Sequence, residues 1–369
     1  MRGLAVPLDY KVLSNEILAR HDQRALALID AEPALARHWK PIMDAAYVGA
    51  PGLVAALLDA GADPNIMSRN GHRHTPLIRC LHRQATVART PAHTEVLELL
   101  LRSGADPNLP AGQHNLPPLA EACIGGYTRD IDILLEAGAA RTLHTVAMLY
   151  DKRALKRMLA SSPPDLPDHV GRTPLHYLAF SGLWTCSDKL QQASLASARQ
   201  LLEAGAAVDQ IDPQVGTEGD FQPTALWRAV GWQKHHALAQ LLLEAGASPD
   251  NAIFAAAFDG DREMLDLLAD YGVDLEPRVA GRTPLLDLIY FRRPANVTWL
   301  LSRGADPAAT DAEGRNALHL AAIQGIRPEI VEQLLAFGAD RQATDKSGNL
   351  PLDYARQKGR SKLVPLLEG

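Results

Sequence analysis

Cysteine is scarce in this chain of 369 residues: there are three, far apart, at Cys80, Cys123 and Cys186. An odd and scattered set does not suggest a disulfide framework and is typical of a reducing compartment. No apolar run approaches the roughly 18 residues that a membrane span needs. The N-terminal stretch MRGLAVPLDYKVLSNE also lacks the apolar core of a secretory signal. We therefore expect a cytoplasmic protein with no membrane partner, with delivery by a signal-independent secretion route left open.

Excess positive charge and catalytic motifs are missing as well. Lys and Arg number 37 against 43 Asp and Glu, a formal net charge of −6 at pH 7, so the sequence predicts no nucleic-acid partner. The motifs HExxH, GxSxG, GxGxxG, the P-loop and CxxC do not occur. We therefore predict no catalytic residues, no cofactor and no small-molecule substrate.

What the sequence has in abundance is one kind of helix ending. The letters LLEAGA begin at Leu134, Leu201 and Leu242, and related endings surround Gly61, Gly104, Gly304 and Gly338. The Leu pair suits the buried face of an amphipathic helix, and the glycine suits the left-handed position that follows a helix.

A second pattern marks helix beginnings. Thr75-Pro76-Leu77, Thr173-Pro174-Leu175-His176 and Thr283-Pro284-Leu285 place a capping threonine before a proline, which starts a helix well. The combined pattern G-x-T-P-L-H-x-A-A…V-x-x-L-L-x-x-G-A-D resembles the ankyrin repeat, and its best copy runs from Gly314 to Asp340. The resemblance covers roughly residues 40–369 and implies an all-α fold, an α-solenoid of helix pairs with β-turn fingers, about 33 residues per repeat.

Several expectations about organisation follow from this resemblance. We predict a single solenoid over residues 1–369 with about eleven repeats, an N-terminal helical cap at 8–38 and a C-terminal capping repeat at 342–369. The repeats near 142–162 and 251–272 are short and are predicted to lack the finger. His176 and His319 match the family's TPLH histidine, which implies hydrogen bonds between neighbouring loops.

Three repeats are longer than the pattern. The extra residues fall near 81–93 and 183–194, between the two helices of a repeat, and near 210–222, in a finger. We expect these insertions to be connections, where added length costs little and function tends to lie.

The first insertion belongs to the richest polar cluster of the chain, which contains His72, His74, Cys80, His82 and His93. These residue types could bind a metal. Cys80, however, takes a small-residue position within a helix, where cysteine usually packs as a small hydrophobic side chain. We therefore predict no metal site.

The aromatic residues are few but unevenly placed. Of 19 in the chain, six follow the inward-facing pair of a first helix, and the resemblance implies that this position faces the concave, partner-binding side. Aromatic side chains are enriched in interface hot spots. The alternative is that the rings fill gaps between irregular repeats. The predicted partner-binding residues are these six, the two arginines that follow, and one aromatic from each of two insertions: Tyr47, Phe180, Trp232, Phe258, Tyr290, Phe291, Arg292, Arg293, Trp184 and Phe221.

The sequence thus predicts a non-catalytic protein–protein interaction module, a scaffold, adaptor or inhibitor that binds a partner protein through its concave face and inserted loops. The Ala-, Arg- and Asp-rich repeats resemble bacterial ones, so an immunity or antitoxin protein that occludes a toxin, or a host-directed effector, is an alternative. An enzyme with a site near 183–194 or 72–93 is a further one. The fold does not identify the partner.

Overall fold

The structure is a computed structural model that describes residues 9–69, 71, 73–82, 87–213, 223–250 and 252–369. The chain forms two compact units. The N-terminal unit comprises the described residues of Met1–Ser162 together with Ser181–Ser197, and the C-terminal unit comprises those of Pro163–Phe180 and Ala198–Gly369. Regular structure in the described residues is helical, with isolated β-bridges that join Ala111 to Leu116 and Val279 to Arg282 in two fingers.

The N-terminal unit is a series of short helix pairs. Its helices are α1 (Tyr10–Leu18), α2 (Asp22–Ala31), α3 (Trp39–Val48), α4 (Pro51–Asp59), α5 (Pro76–Leu81), α6 (Pro91–Arg102), α7 (Pro118–Gly125), α8 (Thr128–Glu136), α9 (Leu143–Met148) and α10 (Lys152–Leu159). Short 3₁₀ turns cover Pro33–Arg37 and Leu183–Cys186.

The C-terminal unit continues the same alternation. Its helices are α11 (Pro174–Phe180), the end of α12 (Asp188–Glu203), α13 (Ala225–Trp227), α14 (His236–Glu244), α15 (Ala252–Asp259), α16 (Arg262–Asp270), α17 (Pro284–Tyr290), α18 (Val297–Ser302), α19 (Ala317–Gln324), α20 (Pro328–Ala336), α21 (Pro351–Gln357) and α22 (Val364–Glu368). A π-helix covers Arg228–Gln233, and a 3₁₀ turn covers Pro294–Asn296. None of the helices in the described part of the chain has the length and apolar character needed to cross a membrane.

The LLEAGA segments end their helices as predicted. Gly138 takes a left-handed conformation, with φ of 91°, and the next amide, of Ala139, donates to the Leu134 carbonyl at 2.9 Å. The same bond joins Ala206 to Leu201 and Ala247 to Leu242, each at 3.0 Å. Because the leucine at the start of each segment is fully buried, one six-residue segment both closes the helix and fills the core.

A side-chain hydrogen bond links successive repeats at these helix ends. Asn108 lies four residues after Gly104; its amide group donates to the Gly138 carbonyl at 3.2 Å and accepts from the Ala140 amide at 2.7 Å. The backbone amide that donates lies two residues after a helix-ending glycine, here Gly138. In equivalent bonds, the amides of Asp106, Ser248, Asp274 and Asp306 donate to the side chains of Asn65, Asp209, Asp250 and Glu276, respectively.

The two short repeats lack the finger, as predicted. Helix α9 begins at Leu143, soon after Gly138, and α15 begins at Ala252, soon after Gly246. The hydrogen bond from the Asp274 amide to Asp250 is nevertheless present in the second of them, at 3.0 Å. The contact between helix ends therefore does not require the finger.

The histidines of the TPLH motif have the predicted role. His176 accepts from the Thr173 amide at Nδ1 and donates from Nε2 to the Gln210 carbonyl, at 3.1 and 2.7 Å. His319 likewise bonds the Asn349 carbonyl in the next loop at 3.0 Å. Burial lowers the pKa of His176, which favours the neutral ring that this pattern needs.

The insertion near 183–194 is not a simple connection, and that prediction was wrong. It forms the 3₁₀ turn Leu183–Cys186 and the first turns of α12, which is 16 residues long. The segment DKLQQASLASARQLLE has no Gly or Pro, so nothing in it ends the helix early. Most of the finger insertion, including the predicted site residue Phe221, lies outside the described residues.

The link between helix ends gives a matched pair of stability predictions. Asn108→Ala removes both bonds to the 138–140 turn and should lower the free energy of unfolding by about 1 kcal/mol. Ala308 occupies the same register, four residues after Gly304, with no side-chain acceptor. Ala308→Asn should therefore raise the stability by a similar amount, measured by urea unfolding followed by circular dichroism. Unchanged midpoints in both variants would contradict a stabilising link.

Candidate partner-binding groove

The predicted aromatic residues of the C-terminal unit do not all lie at the same distance from the threonine that precedes their helix. Phe180 and Tyr290 lie seven residues after the capping residues Thr173 and Thr283, whereas Trp232 lies eight after Thr224. The π-helix Arg228–Gln233 accommodates this extra residue. Such single-turn π-segments inside α-helices are frequent at functional sites.

Where the π-helix ends, Lys234 takes a left-handed conformation with φ of 54°, and the His235 amide donates to the Ala229 carbonyl at 2.9 Å. Trp232 is 45% exposed in this turn. The extra residue therefore places the indole at the surface while the neighbouring Ala229 and Val230 stay buried.

A groove of about 390 Å³ lies between the π-helix and α15. Gly231 permits their close approach, since a Cβ at this position would lie 2.6 Å from the Ala255 Cβ. Its lining is mainly aromatic, with one apolar and two acidic side chains near the edge: Trp227, Trp232, Phe254, Phe258, Val279, Asp259 and Asp287. The groove offers an apolar floor with an exposed aromatic wall.

The end of α17 extends this aromatic surface. Tyr290 is 37% exposed and Phe291 is 48% exposed. The Phe291 ring lies 5.0 Å from the Tyr290 ring and 5.8 Å from the Phe258 ring, both edge to face. Phe291 thus contacts two other predicted residues beside the groove, in the edge-to-face geometry that aromatic rings favour.

Arginines lie over these rings. The Arg282 guanidinium is 4.2 Å from the Tyr290 ring centroid and also bonds Asp287 at 2.8 Å. Arg293 lies 4.8 Å from the Phe258 ring centroid. Together with the exposed Arg292, they give the aromatic surface a positive edge.

A buried charge cluster lies beneath the groove. Asp212 bonds Arg172 at 3.2 Å and Arg228 at 2.6 Å, and all three side chains are at most 2% exposed. The Arg228 guanidinium lies 3.8 Å above the Phe180 ring centroid and 5.2 Å from that of Trp227. Burial lowers the pKa of Arg228 to about 10, partly offset by Asp212, so the side chain is still a cation at neutral pH.

Phe180 supports the groove from below. It is 1% exposed, its ring meets the Trp232 ring at 6.0 Å, and its carbonyl accepts from the Gln233 side-chain amide. It therefore has the gap-filling role that the sequence analysis kept as the alternative, and it presents no surface to a partner.

The remaining predicted residues lie in the N-terminal unit. The half-buried Tyr47 lies under the Arg79 guanidinium at 4.2 Å, and Trp184 is half-buried in the turn Leu183–Cys186. Sequence reasoning missed Trp227, Phe254 and Arg282. Trp227 could have been found, because it occupies the histidine position of the TPLH motif in Thr224-Ala-Leu-Trp227.

The polar cluster of the first insertion does not converge as one site. Cys80 is 2% exposed and donates to the Leu77 carbonyl at 3.1 Å, as expected of a packed cysteine. His93 caps α6 through the Thr90 amide and bonds the Tyr47 carbonyl. His82 instead approaches Glu121, and His72 lies outside the described residues.

The charge cluster beneath the groove leads to a stability prediction. Asp212→Ala leaves two buried guanidinium groups without a counter-charge and should cost about 3–5 kcal/mol. Asp259→Ala is the matched control, because Asp259 is exposed and pairs loosely with Lys234 at 3.6 Å; it should cost less than about 1 kcal/mol. Urea unfolding of both variants measures the difference. Equally small losses would contradict a structural role for Asp212.

Comparison with known proteins yields consistent matches. A family model described as "Ankyrin repeats (3 copies)" matches residues 226–311 and 285–368. The "Ankyrin repeat domain-containing protein SAT10" of Stachybotrys chartarum is 28% identical over 274 residues, 63% of this chain and 14% of that protein. "NF-kappa-B inhibitor delta" of Mus musculus is 50% identical over 46 residues, 12% of this chain and 14% of that protein. This chain thus spans a small part of both relatives.

Among solved structures, the human ASB11 ankyrin repeat domain aligns with 26% identity and a TM-score of 0.49, over 62% of this chain and 99% of that one. The family model identifies ankyrin repeats within residues 226–368, and similar motifs and helix pairs precede them in the described part of the chain. The chain is thus similar to ankyrin repeat proteins.

Proposed function

We propose that this chain is a non-catalytic interaction module that holds a partner protein in the groove of the C-terminal unit. The observation that carries the proposal is the exposure of Trp232, Tyr290 and Phe291 around one aromatic-lined groove. Folded proteins rarely expose large apolar side chains in a group unless the group binds something. A relative named as an inhibitor of NF-kappa-B supports a role that is exerted by binding another protein.

The groove suggests what the partner contributes. Its floor is apolar, formed by Trp227, Phe254 and Ala255, so it suits one large aliphatic or aromatic side chain from the partner. Arg292 and Arg293, which are exposed directly after the Tyr290–Phe291 pair, favour acidic residues of the partner at that point.

Scaffold, adaptor and inhibitor are the roles that such binding serves, and immunity protein and host-directed effector are special cases of them. We place the interaction in the cytoplasm, with a protein as partner in preference to nucleic acid, a membrane or a small molecule. The net charge of −6 disfavours nucleic acid, and the aromatic lining of the groove favours a protein partner.

The double variant Trp232→Ala/Tyr290→Ala tests the groove. Because hot-spot truncations cost about 2 kcal/mol or more each, capture of the partner should fall by at least tenfold, roughly. The measurement is quantitative mass spectrometry after affinity capture from a lysate of the source organism.

A matched control removes two aromatics that are similarly exposed but follow α16 and α20 and do not line the groove. Tyr271 and Phe337 are 40% and 43% exposed, and the variant Tyr271→Ala/Phe337→Ala should capture the partner like the wild type. Equal recovery by the groove variant and the wild type, with unchanged circular dichroism, would refute the groove as the binding surface.

A further inference from the structure

A second cluster of reactive side chains lies in the N-terminal unit and plays no part in the proposed groove. His82 follows the end of α5, His114 lies in the finger closed by the Ala111–Leu116 bridge, and Glu121 belongs to α7. The three residues come from two successive repeats. Their ligand atoms all lie within 4.8 Å of one another.

The carboxylate of Glu121 is the centre of the cluster. One oxygen lies 3.2 Å from Nδ1 of His114, and the other lies 3.6 Å from Nδ1 of His82. The Glu121 side chain is 2% exposed and that of His114 is 7% exposed. Both imidazoles therefore present the same nitrogen to one buried carboxylate.

These distances are compatible with a bound metal ion as well as with the hydrogen bond between His114 and Glu121. Zinc–ligand bonds of about 2.0–2.1 Å in tetrahedral geometry separate neighbouring ligand atoms by about 3.3–3.4 Å. The two separations of 3.2 and 3.6 Å lie close to that spacing. Two imidazoles and one carboxylate are also a donor set that borderline divalent ions such as zinc accept.

Other repeats show what a purely structural contact between finger and helix looks like. There, one finger residue meets one helix residue: Arg282 bonds Asp287, and Asp168 accepts from the Tyr177 hydroxyl. Glu121 and His114 form the corresponding pair. His82, from the preceding repeat, adds a second imidazole to this pair. The finger–helix bonds of Arg282 and Asp168 include no such third residue.

One of the three side chains, that of His82, borders a cavity. The His82 side chain is 16% exposed and lines a cavity of about 250 Å³ together with Arg89, His93 and Tyr127. Arg89 is engaged by Asp130, and His93 bonds Thr90 and Tyr47. A water molecule in this cavity could complete the coordination shell next to His82.

We propose that His82, His114 and Glu121 bind one divalent transition-metal ion, with zinc the best match. The ion joins the end of α5 to the finger and first helix of the next repeat. Its role is structural, because it fixes the contact between two repeats beside the first insertion. The proposal is independent of the partner-binding groove, which lies in the other unit.

Zinc titration of the tag-free, chelator-treated full-length chain tests the site. Isothermal calorimetry with zinc chloride should show one equivalent bound, and the melting temperature should rise on zinc addition. Cobalt in place of zinc should give the visible absorption of a tetrahedral ion. His82→Ala and Glu121→Gln should each weaken zinc binding by at least about tenfold. Loss of a residue that only hydrogen-bonds to a metal ligand already lowers metal affinity by about that factor.

His236→Ala is the matched control, because His236 is partly exposed and pairs with one carboxylate, Asp261, at 3.2 Å. It should bind zinc like the wild type. The fold of the His82→Ala variant is checked by its zinc-free circular dichroism and melting temperature. The proposal is overturned if the wild type takes up no stoichiometric zinc, or if wild type, His82→Ala and Glu121→Gln bind it equally.

Discussion

The arrangement of this protein depends on one recurring hydrogen bond, from a backbone amide just after a helix-ending glycine to an Asn, Asp or Glu side chain of the preceding repeat. Apolar burial drives the helices together but has no direction, so it does not fix how one pair sits on the next. The bond to Asn65, Asn108, Asp209, Asp250 or Glu276 does so at the same point of successive repeats. The bond from the Asp274 amide to Asp250 is present in the repeat of α15 and α16, which lacks a finger, so this link does not depend on the finger.

Because the helix ends fix the register, other parts of a repeat can change without disturbing it. The π-helix Arg228–Gln233 adds one residue to the first helix of its repeat. The LLEAGA segment that begins at Leu242 nevertheless keeps its buried leucine and the hydrogen bond from Ala247 to Leu242. The added residue exposes Trp232. Asp212, which also bonds Arg172, holds Arg228 against the Phe180 ring, so the altered turn rests on a buried charge cluster.

Structural features that depend only on neighbouring residues could be predicted from the sequence. Helix ends, helix starts, the missing fingers and the bonds of His176 and His319 all follow from residues a few positions apart. The burial of Phe180 could not be predicted, because it depends on Trp232 and Arg228 from the next repeat. The helical form of residues 188–194 was missed because an insertion without Gly or Pro can extend a helix as readily as a loop. His82, His114 and Glu121 have no motif spacing, since three separate elements bring them together.

Both proposed sites occupy places where a repeat departs from the family pattern, and the physics of repeat folds explains why. Each repeat packs only on its neighbours, so the energetic effect of an extra residue or an unusual side chain stays local. A globular core would transmit the same change throughout its packing. An additional residue at the π-helix, or a histidine added at the end of α5, therefore costs stability in one place and leaves the other repeats intact. Binding sites can therefore arise at irregular segments of such a chain, while the regular segments maintain the fold.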